Sequence, residues 1–60
     1  MNSEETAERA ASAVDTVLDQ MDAGQKPNAA DVLVVNVALF AAEREGIQPE
    51  SWQKHLRARQ

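Results

Sequence analysis

The sequence predicts an all-α chain: a helical hairpin plus a short third helix, associating into a helical-bundle homodimer. Three observations lead there. Apolar residues recur at helical spacing from Ala7 to Met21. Gly24, Pro27, Gly46 and Pro49 fall where helices should stop and start. The segment Asp31–Phe40, DVLVVNVALF, is more apolar than one neighbouring helix can cover.

The first helix is expected over about residues 3–23. Asn2 or Ser3 can cap it, and Asn2 with Glu5 has the spacing of a capping box. Glu4, Glu5 and Glu8 suit the positive end of the helix dipole. Ala7, Ala10, Ala11, Val14, Val17, Leu18 and Met21 form one stripe. Its first half is alanine, so another helix can approach closely there. Gly24 stands where a helix-ending glycine belongs.

The second helix is expected over about 29–45. Pro27 keeps Lys26 out of helix, Asn28 is a good cap and Asp31 favours the new dipole. The valine run could also be a strand. The unbroken continuation through ALFAAERE favours helix instead. On a wheel this helix has two apolar faces. Leu33, Val37 and Phe40 make one, flanked by Ala30, Val34 and Ala41; Val32, Val35, Leu39 and Ala42 make the other. Thin polar seams divide them, Asn36 with Glu43 and Asp31 with Glu45. The third helix is expected over about 49–58. Pro49 suits its first position, and Ile47 with Trp52 has hydrophobic-staple spacing.

One domain spans all 60 residues, and its energy balance is close. Folding should bury roughly 5,700 Å². With about 60% of that apolar, burial contributes on the order of 85 kcal/mol. Ordering the chain costs about 90 kcal/mol. Such a chain needs a staple or a partner. There is no cysteine, which excludes disulfides and thiolate metal sites. Association is the remaining route.

Interface candidates are Val32, Val35, Asn36, Leu39, Phe40, Trp52 and Leu56. Asn36 marks a boundary between the two faces and can fix register if it is enclosed. Charge is uneven: −5 over residues 1–25, −1 over 26–46 and +2 over 47–60. Glu8, Asp15, Asp19 and Asp22 make an acidic ridge, and Lys54, Arg57 and Arg59 a basic end. All seven are candidates for electrostatic docking.

The net charge of −4 argues against nucleic acid. The polar, acidic start argues against a leader, and the apolar run is too short for a membrane span, so a cytoplasmic protein is expected. His55 stands alone, without a cysteine, a second histidine or an obvious orienting acid, so no metal, cofactor or catalytic residue is expected. The chain is too small to enclose a catalytic pocket alone. The expected role is a non-enzymatic protein–protein interaction module, an adaptor, regulator or inhibitor. It would bind itself through helix 2, and another protein besides. Two alternatives are a structural subunit of a larger complex, and an oligomer that binds a small anion between chains with Lys54, His55, Arg57 and Arg59.

Overall fold

The computed structural model describes residues 2–57. Among them lie three helices: α1 (Ser3–Asp22), α2 (Ala29–Arg44) and α3 (Pro49–Gln53). The chain is flat, with Cα extents of 33 × 25 × 14 Å.

Local chemistry sets the ends of the two long helices. Asn2 Oδ1 accepts the Glu4 N–H at 2.9 Å, and Asn28 Oδ1 accepts the Ala30 N–H at 2.8 Å. Each satisfies an N–H that the helix leaves without a partner. Glu5 turns outward to pair with Arg9 at 2.9 Å. Both long helices end in the same way. Gly24 and Gly46 take φ of 75° and 74°, which a side chain would strain. The following N–H groups then reach back, Gln25 to Gln20 O at 2.9 Å and Ile47 to Ala42 O at 3.0 Å. Gln20 also clamps the connecting turn. Its Oε1 accepts from the Asn28 N–H and its Nε2 donates to Asp31, each at 2.6 Å.

The third helix stops at Gln53, earlier than the expected 58. A turn at Lys54–His55 lets Leu56 bury against the body of the chain, where it is 8% exposed. Residue 58 lies outside the described residues.

α1 packs against both α2 and α3. Two contacts fix the arrangement. Thr6 Oγ1 donates to Glu45 Oε2, just past α2, at 2.9 Å. Asp15 accepts the Arg57 backbone N–H, beyond α3, at 3.2–3.3 Å. Nine positions separate Thr6 from Asp15, half a revolution at 100° per residue, so α1 is flanked on opposite sides. The buried apolar residues between are small: Ala7, Ala10, Ala11 and Ala13, with Ala42 from α2. Alanine brings helix backbones close but buries little area. No large side chain is fully buried among the described residues.

Candidate functional site: the exposed apolar face of α2

The orientation of α2 decides what the chain offers to others. Asp31 and Glu45, one of the two polar seams, turn toward α1. Gln20 and Thr6 there supply their hydrogen-bond donors. This draws Val35, Leu39 and Ala42 toward the chain's own interior, half-buried or buried. The opposite face is left open. Leu33, Val37 and Phe40 are each 62% exposed, and Val34 is 54% exposed.

The open residues form a continuous surface. Ala30, Leu33, Val37, Phe40 and Arg44 follow one another at alternating steps of three and four, the spacing of a helix-packing seam. The Arg44 guanidinium lies 5.9 Å from the centre of the Phe40 ring, covering its outer end. Toward α1 the surface drops into a groove of about 620 Å³. Its floor is small, with Ser12, Ala13 and Thr16 from α1 and Ala38 and Ala41 from α2, and Leu33, Val34 and Val37 wall one side. Leu33, Val34, Val37 and Phe40 together present on the order of 450 Å² of surface, the size of the largest apolar patch on a typical monomer, which is often functional.

The interface candidates read from the sequence separate into two groups here. Phe40 lies in the open seam, and Asn36 is exposed at its edge. Val32 is 39% exposed, while Val35, Leu39 and Trp52 are half-buried and Leu56 is buried. Leu39 and Trp52 line a shallow cavity of about 380 Å³ with Ile47 and Pro49. Leu33, Val34 and Val37, each more than half exposed, are not among those candidates. The signal that places them outside is the pair of acids on the far side of α2, which need donors from α1.

Three of the charged candidates meet one another. Arg57 reaches the carboxylates of both Asp15 (Nε–Oδ2 3.5 Å) and Asp19, so the basic end folds onto the acidic ridge. The hydrogen bond to Asp19, then the charges of Asp19 and Asp15, raise the Arg57 pKa above its ordinary value, and the guanidinium stays cationic. Glu8, Asp22 and Lys54 are exposed, and Arg59 lies outside the described residues.

His55 does have an acid beside it, contrary to the sequence expectation. Its Nε2 is 2.9 Å from Glu4 Oε1, shielded from water but outside hydrogen-bond geometry. Glu8 joins them, and ligand atoms of the three lie within 4.8 Å of one another. One imidazole and two carboxylates are donor types that suit a divalent cation. Both glutamates are exposed. No helix among the described residues is long and apolar enough to cross a membrane. Set beside known protein families, curated proteins and solved structures, the chain matches none.

Proposed function

We propose that this chain is a small, non-enzymatic protein–protein interaction module of the cytoplasm that works as a helical-bundle homodimer through α2. One observation carries the reading. Four large apolar side chains stand more than half exposed on one face of α2, Leu33, Val34, Val37 and Phe40, while the buried apolar interior is alanine and one leucine. Leaving such a seam in water forfeits the area that a chain this short most needs. Covering it with another chain supplies a second layer of helices, the usual architecture of a stable domain.

The dimer in turn leaves other surfaces free for a different protein. Trp52, half-buried on α3, lines a cavity with Leu39 rather than with the seam residues, and aromatic anchors are frequent in binding sites.

The test is the dependence of thermal unfolding on protein concentration. Association stabilises by mass action, so the midpoint should climb as concentration rises. Val37→Asp places a charge in the seam and should abolish the climb. A midpoint independent of concentration in the unaltered protein would refute the reading.

A further inference from the structure

We propose that the α1/α2 groove is the seat of α2 from a second copy, running antiparallel about a two-fold axis close to Val37. This rests on the interaction-module reading and adds the seat and direction of the partner helix.

The surface is self-complementary. One face carries both a ridge of large residues and, beside it, a groove floored by Ala13, Ala38 and Ala41. A two-fold operation sets each ridge against the other copy's groove, which is what an isologous contact requires. With the axis at Val37, Leu33 falls opposite Ala41 of the second copy, and Phe40 opposite its Val34. Large side chains thus meet smaller ones.

The area suffices. Seam and groove floor, with the stems of Arg9 and Arg44 at the edges, offer about 600 Å² per copy, at the lower end of specific interfaces.

Charge selects the direction. The Thr6–Glu45 contact sets the first turn of α1 beside the end of α2, so Glu4, Glu5, Glu43 and Glu45 outnumber Arg9 and Arg44 at one end of the hairpin. Parallel pairing would set two such ends side by side and stack Arg44 on Arg44. Antiparallel pairing separates them by roughly the length of α2, about 24 Å, well beyond the screening distance in physiological salt. It also opposes the two α2 dipoles.

Engineered cysteines read the direction directly, because the chain has none of its own. Leu33→Cys and Ala41→Cys are made singly, mixed and oxidised. Antiparallel seating brings Cys at 33 to Cys at 41 across the axis, while two copies of Cys at 33 lie about 12 Å apart along the helix, too far to bridge. The expected result is the mixed disulfide, at twice 6.6 kDa, with no self-linked Leu33→Cys product. A self-linked Leu33→Cys product without the mixed one overturns the direction and leaves the interaction reading standing. No disulfide from a protein that still sediments as a dimer overturns the seat. No disulfide from a protein that sediments as a monomer overturns both.

Discussion

Asp15 and Arg57 close the chain on itself. The Asp15 carboxylate, 7% exposed, receives the Arg57 backbone N–H on both oxygens and faces its guanidinium as well. Forty-two positions separate the two residues, so a long loop is closed by one short side chain. The contact holds the segment after α3 against α1 and keeps Leu56 buried. Three of the charges that the sequence offered to outside partners, Asp15, Asp19 and Arg57, are satisfied within the chain.

Asp15→Ala should therefore destabilise the fold by about 1–3 kcal/mol, because it removes the acceptor of a charge-assisted bond and frees the segment beyond α3. Asp19→Ala, at an exposed ion pair, should cost clearly less. Urea unfolding of the two variants at equal concentration measures the difference. Equal losses would show that the backbone bond to Asp15 contributes nothing special.

Thr6→Val keeps the shape of the side chain and deletes its hydroxyl. The Glu45 carboxylate then loses its donor at 2.9 Å. A loss of about 1 kcal/mol is expected in the same urea experiment. Glu45→Ala should produce a similar loss, and the double variant should cost less than the sum, since both remove one bond.

Ala10 is wholly buried in α1. Ala10→Leu inserts three carbons into a wholly buried position and should cost about 1–3 kcal/mol through overpacking. Ala30→Leu, on the exposed side of α2, should leave the stability of the isolated chain nearly unchanged. Thermal unfolding at low concentration separates the two. An Ala10→Leu protein as stable as its parent would mean that α1 is not closely flanked.

Phe40→Ala should weaken self-association by at least about 2 kcal/mol, roughly 30-fold in Kd, as for the aromatic anchor of an interface. Far-ultraviolet circular dichroism of the dilute protein should stay the same, because the Phe40 ring is exposed within the single chain. A dilution series followed by light scattering gives the affinity.

The sequence made the helices legible and left their orientation open. Asn2, Asn28, Gly24, Gly46 and Pro49 act locally, so their effect can be read without knowing the fold. The rotation of α2 is a tertiary matter. Its apolar residues fall on both sides, and hydrophobicity alone favours neither. What decides is hydrogen bonding across the hairpin, with Gln20 meeting Asp31 and Thr6 meeting Glu45. Either pair could have been sought by asking which α1 residues can donate to the acids of α2. The approach of His55 to Glu4 had no such signal, because it depends on the turn at Lys54–His55 that shortens α3.

Sedimentation equilibrium of the unaltered protein tests the central claim most directly. Over a range of concentrations the mass should rise from 6.6 kDa toward twice that value as the α2 seams pair. A mass that stays at 6.6 kDa at the highest concentration, with the helices intact, would contradict it.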